Sequence, residues 1–397
     1  MISRRHFFLS AGAVPALAPA FQGALQSVDI PEIPADAPRP AAEVPAPFAG
    51  AQWKIKYFHD RADSGLVLTD LVAPSPGFVL AAGVVEGNRR GKPKDLGIVS
   101  RDGGATWNEI KLPRGPATLF ALDAGHLWLA ATGRLYFSSD QGGKWTRLKL
   151  PKRMGRVVFT TPRDGWAYGA GKVFYRTADG GRRWTPVPES QELKLTDEFT
   201  VYRTMEFHEG RGGVLAGNSR RPQGADGELP AWIAPERAMA RRPRPATTAM
   251  FTTLDGGASW KSAVTAAFGD VVRLRLGARR SIALFEYGEG FLFPTEVFLD
   301  RPASGGISPL FRRKALRVTD MEMTGDGGYL LSVIEPFGRL PGAGLPGRLR
   351  ILFSPDGKQW FHTPVDYRAQ GPHALLASAG DQRFAALTNG MILRLER

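Results

Sequence analysis

TADGGRRW, at residues 177–184, is one of five closely similar blocks in the chain. The other copies are SRDGGATW at 100–107, SSDQGGKW at 138–145, TLDGGASW at 253–260 and the shorter SPDGKQW at 354–360. The tryptophans that end the blocks, Trp107, Trp145, Trp184, Trp260 and Trp360, lie 38, 39, 76 and 100 residues apart. A recurring step near 40 residues indicates one small structural unit per step.

Each block predicts a tight hairpin. Its aspartate is expected to accept hydrogen bonds from backbone N–H groups two residues further on, and glycines such as Gly103 tolerate positive φ. The tryptophan should begin the next strand and pack its ring against the next turn or sheet. The aspartates are Asp102, Asp140, Asp179 and Asp255, with Asp356 in the short copy. Five recurrences favour a structural role, because a catalytic residue is rarely needed five times.

Short apolar runs separated by turn residues surround the blocks. Residues 117–150 divide into four such runs, ATLFALDAG, HLWLAATG, RLYFSSD and KWTRLKL, which predict four strands. Similar units run from about 66 to 367, and three strands then remain at the C-terminus. WKIKYFHD at 53–60 can supply the missing fourth strand. We therefore predict an all-β, seven-bladed β-propeller over residues 51–397, with Asp-box hairpins and an N-terminal strand that joins the C-terminal blade.

The segment DGWAYGAGKVFYRTADGGRRW, residues 164–184, resembles the repeat of the photosystem II assembly and stability factor family, whose members are Asp-box (BNR-type) propellers. The resemblance implies a chaperone-like, non-enzymatic binder of a membrane-protein precursor that uses basic surface residues. The chain is also similar to secreted repeat proteins of heterotrophic bacteria. Sialidases, sortilin-type receptors and xyloglucan-cleaving propellers share the Asp box, so the motif specifies architecture better than function.

Residues 1–20 have a charged start, an apolar middle and small residues at the end, as an export signal has. Ser3, Arg4, Arg5 and Phe7 fit the twin-arginine pattern, although two arginines also occur in general secretory signals. Residues 21–50 predict a Pro/Ala-rich linker. We expect a periplasmic or secreted protein.

The chain is strongly basic. Loss of Arg4 and Arg5 with the signal would lower the formal net charge from +14 to +12. Such a charge favours an acidic protein or another anionic polymer as partner, and nucleic acid is not expected outside the cytoplasm. The sequence contains no cysteine and no apolar run of about 20 residues that could span a bilayer. We expect a monomer.

The connections from second to third strand differ most between repeats. Insertions occupy 86–96, 219–248 and 335–349, and together they carry twelve basic and six acidic residues. Such connections open on the propeller face opposite the Asp-box turns, so they predict a basic binding face, the alternative being solvated loops. The candidate residues are Arg89, Arg90, Lys92, Lys94, Arg220, Arg221, Trp232, Arg237, Arg241, Arg242, Arg244, Arg339 and Arg348.

The alternative function is a sialidase-like or other glycoside hydrolase that uses the central pocket. Tyr287 with Glu286 and Glu289 could supply part of such a site, but the Arg-Ile-Pro motif of sialidases is absent. The histidines are scattered, and no phosphate-binding or calcium-binding loop motif occurs. The sequence thus predicts no catalytic residue, no metal and no cofactor.

Overall fold

The fold is described from a computed structural model that covers residues 48–61, 64–87, 93–113, 115, 118–131, 133–220, 245–287, 291–301, 306–314, 316–325, 327–336 and 346–397. The chain forms two compact units. The first comprises Tyr168–Tyr175 and Pro186–Lys314, and the second comprises Ile33–Ala167, Arg176–Thr185 and Ala315–Arg397, so far as these ranges are described. The predicted signal at 1–20 and nearly all of the predicted linker lie outside the described residues.

The described chain is almost entirely β-structure. In the first half the strands are β1 (Gln52–Phe58), β2 (Ser64–Ser75), β3 (Phe78–Gly87), β4 (Lys94–Ser100), β5 (Asn108–Lys111), β6 (Thr118–Asp123), β7 (His126–Ala131), β8 (Arg134–Ser138), β9 (Thr146–Lys149), β10 (Met154–Phe159), β11 (Gly165–Gly169), β12 (Tyr175–Thr177) and β13 (Thr185–Pro186). In the second half they are β14 (Thr200–His208), β15 (Gly212–Ser219), β16 (Ala246–Thr253), β17 (Lys261–Ala267), β18 (Asp270–Arg275), β19 (Ser281–Glu286), β20 (Thr295–Arg301), β21 (Gly306–Arg312), β22 (Arg317–Met323), β23 (Tyr329–Pro336), β24 (Gly347–Ser354), β25 (Phe361–Thr363), β26 (Gln370–Gly371), β27 (Ala374–Ala379), β28 (Gln382–Leu387) and β29 (Met391–Glu396).

These strands form seven antiparallel sheets, numbered 1 to 7. Sheets 1 to 5 take four consecutive strands each, from β2–β5 to β18–β21. Sheet 6 contains β22–β25 with β26 added on β24, and sheet 7 has the order β1-β29-β28-β27. The seven-bladed β-propeller is therefore confirmed. The sequence did not predict β26 or the short helix α1 (Pro188–Glu192) that follows β13.

The N-terminal strand closes sheet 7, as predicted. Strand β1 pairs with β29 from Gln52 opposite Glu396 to Phe58 opposite Met391. Trp53 is fully buried, and its indole Nε1 donates a hydrogen bond to Thr363 Oγ1 at 3.0 Å. The two ends of the described chain are thus held in one sheet.

Apolar side chains fill the spaces between neighbouring sheets of the second unit. Leu68 and Ile98 of sheet 1 pack with Phe384 of sheet 7, and Leu80 of sheet 1 packs with Leu129 of sheet 2. The neighbours of Leu80 and Ile98 along β3 and β4 are buried as well, because successive side chains point to opposite faces and each face packs on another sheet. Burial of each large apolar side chain contributes roughly 1.5–3 kcal/mol.

The first unit has a core of its own between sheets 4 and 5. Ala216 and Met250 from sheet 4 meet Leu274 and Phe285 from sheet 5, all 6% exposed or less. The core of this unit is therefore built in the same way, by one sheet packing face to face on the next.

A repeated aspartate joins the first strand of one sheet to the first strand of the next. Asp70, beside a bulge in β2, accepts hydrogen bonds from the N–H of Leu71 and of Leu119 in β6, both at 2.9 Å. Asp320 in β22 accepts from Met321 and from Leu376 in β27, also both at 2.9 Å. We call this arrangement the aspartate clasp. It satisfies one backbone donor beside the bulge and one in the first strand of the neighbouring sheet.

Candidate functional site

The first of the five repeated blocks, predicted to form an Asp-box hairpin, lies between β4 and β5, the third and fourth strands of sheet 1. Asp102 accepts hydrogen bonds from the backbone N–H of Ala105 (3.0 Å) and Thr106 (2.9 Å) and from the Thr106 hydroxyl (2.5 Å). Ser100 Oγ donates to Asp102 at 2.8 Å and accepts from Gly104 N–H at 2.7 Å. The bonds from Thr106, followed by that from Ser100, hold the pKa of Asp102 well below its usual range. Both carboxylate oxygens are engaged inside the turn.

The other copies repeat this geometry. Lys144 N–H donates to Asp140 at 2.8 Å, and this bond is the largest cause of the lowered pKa of Asp140. The pKa of Asp255 is lowered first by the Ser259 hydroxyl and then by the Ser259 N–H, which donates at 3.0 Å. In sheet 3 the pKa of Asp179 is lowered chiefly by the N–H of Arg183. The prediction that the N–H donors lie two residues after the aspartate was wrong for the four full-length blocks. Their donors lie three or four residues after it. Two residues at positive φ fold the chain back so that these later N–H groups converge on the carboxylate.

The short copy in sheet 6 differs in its donors. Asp356 accepts from Lys358 and Gln359, two and three residues on, at 2.8 and 3.1 Å. Burial opposes these bonds, but together they lower the pKa of Asp356. Loss of one residue from the loop therefore moves the donors one position closer.

Three of the block tryptophans pack on the sheet numbered one before their own, with sheet 7 standing before sheet 1. Trp107 meets Phe384 of sheet 7 edge to face at 6.2 Å, and Trp184 Nε1 donates to the Lys149 carbonyl of sheet 2 at 2.8 Å. In the first unit Trp260 lies 5.3 Å from Phe174, again edge to face. The predicted contact with the next turn or sheet was therefore wrong. Instead, each turn directs the start of the fourth strand towards the sheet numbered one before, and the tryptophan ring packs there.

Three of the candidate basic residues lie in the described part of the chain. Lys94 begins β4 and Arg348 lies in β24, and both are exposed. Arg220 follows β15 and is also exposed. The remaining candidates lie outside the described residues: Arg89, Arg90, Lys92, Arg221, Trp232, Arg237, Arg241, Arg242, Arg244 and Arg339. The structure therefore fixes the strand ends from which the three insertions leave.

An acidic residue anchors the start of the longest insertion. Asp270 accepts hydrogen bonds from the Asn218 side-chain amide and from Arg220 (3.2 Å), and Arg203 lies 3.6 Å away. Part of the charge of Arg220 is thus compensated within the first unit. The hydrogen bond from its guanidinium to Asp270 fixes the start of the insertion, and the same group contributes positive charge to the insertion.

The tyrosine considered for a hydrolase site pairs with a different carboxylate from those expected. Tyr287 hydroxyl donates to Glu296 at 2.5 Å, and Arg312 donates to the other oxygen of Glu296 at 3.3 Å. Glu296 is 7% exposed, and Glu289 lies outside the described residues. Both carboxylate oxygens of Glu296 are engaged, so this cluster ties the end of sheet 5 together.

A polar network missed by the sequence joins β1 to sheet 1. Glu109 accepts hydrogen bonds from Tyr57 (2.9 Å) and Arg61 (2.6 Å), and burial together with Glu109 raises the pKa of the Tyr57 hydroxyl. His59 Nε2 lies 3.2 Å from Ser64 Oγ, but its Nδ1 is 4.0 Å from Glu109. Both oxygens of Glu109 are thus bound by other donors, and the network ties the closure strand β1 to sheet 1.

Asp300, in β20 of sheet 5, has the opposite environment to the turn aspartates. It is 1% exposed, and neither carboxylate oxygen has a hydrogen-bond partner among the described residues. Burial raises its pKa to about 7. No sequence pattern marks this residue, because a single aspartate inside an apolar strand resembles any solvent-facing one. The aspartate clasp, in contrast, had a signal in the Thr-Asp pairs at 69–70 and 319–320.

The described residues hold neither a side-chain cluster suited to a metal ion nor a helix suited to crossing a bilayer. They contain no group of three or more histidine, aspartate or glutamate side chains placed to hold a metal ion. Within the same residues, no helix combines the length and apolar character needed to cross a bilayer.

No protein-family model and no curated protein matches the sequence. Solved structures do. YCF48 bound to D1 peptide aligns with 90% of this chain and 99% of its own at 15% identity, with a TM-score of 0.55. YCF48 from Cyanidioschyzon merolae aligns with 87% of this chain and 98% of its own, also at 15% identity, with a TM-score of 0.51.

The same fold occurs in an enzyme. A polysaccharide lyase of family PL25, an ulvan lyase, aligns with 85% of this chain and 94% of its own at 11% identity, with a TM-score of 0.54. At such identities the likeness concerns the fold alone. The neighbours therefore include both a peptide-bound propeller and a lyase, and the chemistry of this chain has to be argued from its own residues.

Proposed function

We infer that the chain is an exported, non-enzymatic binding and assembly propeller whose basic insertions engage an anionic protein partner. The observation that carries this proposal is the position of the insertions. In sheets 1, 4 and 6 they leave between the second and third strands, after β3, β15 and β23. In each of these sheets that is the end opposite the Asp-box turn, which joins the third and fourth strands.

Charge supports the same proposal. The three insertions carry six more basic than acidic residues, half of the excess expected after loss of residues 1–20. Lys94 and Arg348 lie exposed within two of them, at the ends where β4 and β24 begin, and neither has an ion-pair partner among the described residues. Guanidinium groups suit this task because they form paired hydrogen bonds with carboxylates.

The likeness to YCF48 bound to D1 peptide favours a polypeptide partner. It also supports, at the level of fold, the resemblance of residues 164–184 to the photosystem II assembly and stability factor family. Export through a twin-arginine signal, a periplasmic or secreted location and a monomeric state complete the proposal and rest on the sequence alone.

The binding function can be tested with poly-L-glutamate as an immobilised probe. Replacement of Arg241, Arg242 and Arg244 by Ser should weaken retention about fivefold or more, because three positive charges are lost from one insertion. The melting temperature should stay within about 2 °C of wild type, since surface substitutions away from the core change stability little. A matched control replaces Lys152, Lys194 and Arg279, three exposed cations outside the insertions, by Ser. Equal retention of both variants, or equal loss, would contradict the proposal.

The proposal that the protein is not an enzyme has its own test. Purified protein is incubated with a panel of glycoside and uronate-containing polysaccharides, including ulvan, and release of reducing ends and of unsaturated products is followed. No turnover above the buffer control is expected. Catalysed cleavage of any member would show that the fold carries an active site in this chain.

A further inference from the structure

A groove of about 850 Å³ lies at the Asp-box end of sheets 2 and 3, within the second unit. Phe137 of β8 and Leu148 of β9 line it, with Pro162 from the turn that follows β10. Phe137 and Leu148 are partly exposed, and Pro162 is exposed. The groove is therefore an open, partly apolar channel that no part of the described chain fills.

Cations surround this apolar floor. Lys144, Arg163 and Arg182 line the groove and are all exposed. Arg163 Nε donates to the Ala178 carbonyl at 3.4 Å, which leaves its terminal nitrogens available. Lys144 and Arg182 have no ion-pair partner among the described residues. The segment 144–156, which includes β9, carries six basic residues and no acidic one.

The two carboxylates of the groove are engaged within their own turns. Asp140 accepts from Lys144 N–H and Ser138 Oγ at 2.8 Å each, and Asp179 accepts from Arg182 N–H and Thr177 Oγ1 at 2.9 Å each. All of these bonds go to one oxygen of each carboxylate, Oδ1, and they lower the pKa of both side chains, which favours the ionised form. The lining therefore carries three cationic side chains, Lys144, Arg163 and Arg182, against two carboxylates, and this excess of positive charge favours an anionic occupant.

The backbone at one wall favours an extended occupant. Strand β9 is the last strand of sheet 2, and no described strand pairs with its outer edge. Only its end is covered, where the Lys149 carbonyl accepts from Trp184 Nε1. An edge of this kind can add a strand from another chain through main-chain hydrogen bonds. Side chains of such a strand alternate between the groove floor and the basic rim.

We propose that this groove binds an extended peptide in which acidic and apolar residues alternate. The apolar side chains lie on Phe137, Leu148 and Pro162, and the carboxylates pair with Lys144 and Arg182. The site goes beyond the proposed function, because it lies at the Asp-box end of sheets 2 and 3 and uses none of the residues of the basic insertions.

The test measures fluorescence anisotropy of a labelled Glu-Val alternating peptide of about eight residues. The double variant Lys144→Glu and Arg182→Glu should weaken binding about tenfold or more at low salt, because two attractions become repulsions. The matched control is Lys194→Glu with Lys358→Glu. It changes the net charge equally, and Lys358 is likewise an exposed lysine of a block turn, in sheet 6. The control should bind within about twofold of wild type, since distant surface charges are screened.

Two further measurements distinguish strand addition from simple charge attraction, and the groove from the basic insertions. A peptide methylated on alternate backbone nitrogens should bind at least about fivefold more weakly, because it cannot pair with β9. The variant with Arg241, Arg242 and Arg244 replaced by Ser should bind the peptide like wild type, so that failure of the insertion face and failure of the groove are distinguishable. If the Glu variants do not fold, Lys144→Gln with Arg182→Gln replaces them.

Three results would overturn the proposal. The first is no binding of the Glu-Val peptide by wild type. The second is equal weakening by the groove variant and the control variant. The third is tighter binding of an oligogalacturonate than of the peptide at the same residues, which would indicate an anionic sugar as occupant.

Discussion

Asp300 in β20 and Asp320 in β22 are both 1% exposed, yet their surroundings differ completely. Asp320 accepts two backbone N–H groups at 2.9 Å and so joins two sheets. Asp300 has no hydrogen-bond partner among the described residues, and burial raises its pKa to about 7. The comparison shows that burial alone does not decide what a carboxylate does to stability. The supply of donors decides it.

The largest effect is expected for Asp320→Ala. Removal of the carboxylate leaves the N–H groups of Met321 and Leu376 without their acceptor in a buried site, so the free energy of unfolding should fall by about 3 kcal/mol. Urea denaturation followed by tryptophan fluorescence measures it. Asp70→Ala removes the aspartate clasp between sheets 1 and 2, where Asp70 is partly exposed. It should lower the free energy of unfolding by about half as much. Equal losses would show that burial of the clasp contributes nothing.

The opposite sign is expected for Asp300→Asn. At about pH 8 the buried carboxylate is ionised without donors, so the neutral amide should raise the free energy of unfolding by about 2 kcal/mol. Asp320→Asn serves as the control and should destabilise. A decrease in stability for Asp300→Asn at this pH would mean that the ionised side chain has a favourable partner.

The pH dependence of the Asp300 effect follows from its raised pKa. Below about pH 4 the carboxyl is protonated in both the folded and the unfolded state and costs nothing through ionisation. As the pH rises from about 4 to 7 the unfolded state ionises first, so wild-type stability falls, and above about 7 the loss is complete. The stability difference between Asp300→Asn and wild type should therefore grow through this window and level off. A difference that is constant with pH would contradict the raised pKa.

A smaller loss is expected for Asp255→Ala, which removes the carboxylate that organises the turn of sheet 4. Ser259 loses an acceptor for both its N–H and its hydroxyl, but these groups are exposed and water replaces the carboxylate. We expect a loss of about 1 kcal/mol in urea unfolding at neutral pH. Because the pKa of Asp255 is lowered in the folded state, the wild-type advantage should disappear as the pH falls below about 4.

The smallest effect concerns Gln141, which has φ 59° where the other full-length turns have glycine. Gln141→Gly should relieve this left-handed backbone strain and raise stability by less than about 1 kcal/mol, since the flexible unfolded glycine offsets part of the gain. The Gln141 carbonyl that accepts from Arg101 is retained in the variant. The reverse change Gly103→Gln should destabilise, because a Cβ there would lie 2.2 Å from the Gln382 side chain.

The sheets, the turns and the closure by β1 could be predicted because they depend on patterns that recur in the chain. The five blocks, the alternating apolar runs and the unpaired strand WKIKYFHD were sufficient. The direction of tryptophan packing was not, since it depends on where each turn sends the fourth strand. Asp300 was not predictable either, because its isolation is a property of neighbours brought together by folding.

Of the two candidate sites, one could be predicted from the sequence and the other could not. The charge and position of the insertions were visible in the sequence, while most of their residues lie outside the described chain. The groove was invisible, because Lys144 and Arg182 belong to turns of different sheets and only packing places them together. A sequence pattern reports what is near along the chain, whereas a binding groove depends on what is near in space.

Sheet 7 has a consequence for biosynthesis. Strand β1 is among the first described segments to leave the ribosome, but its partner β29 ends at Glu396. Sheet 7 is therefore completed only after β27–β29 have been made, and until then the edge of β1 that pairs with β29 is uncovered. A chaperone that shields this edge in the nascent chain would protect the protein from aggregation.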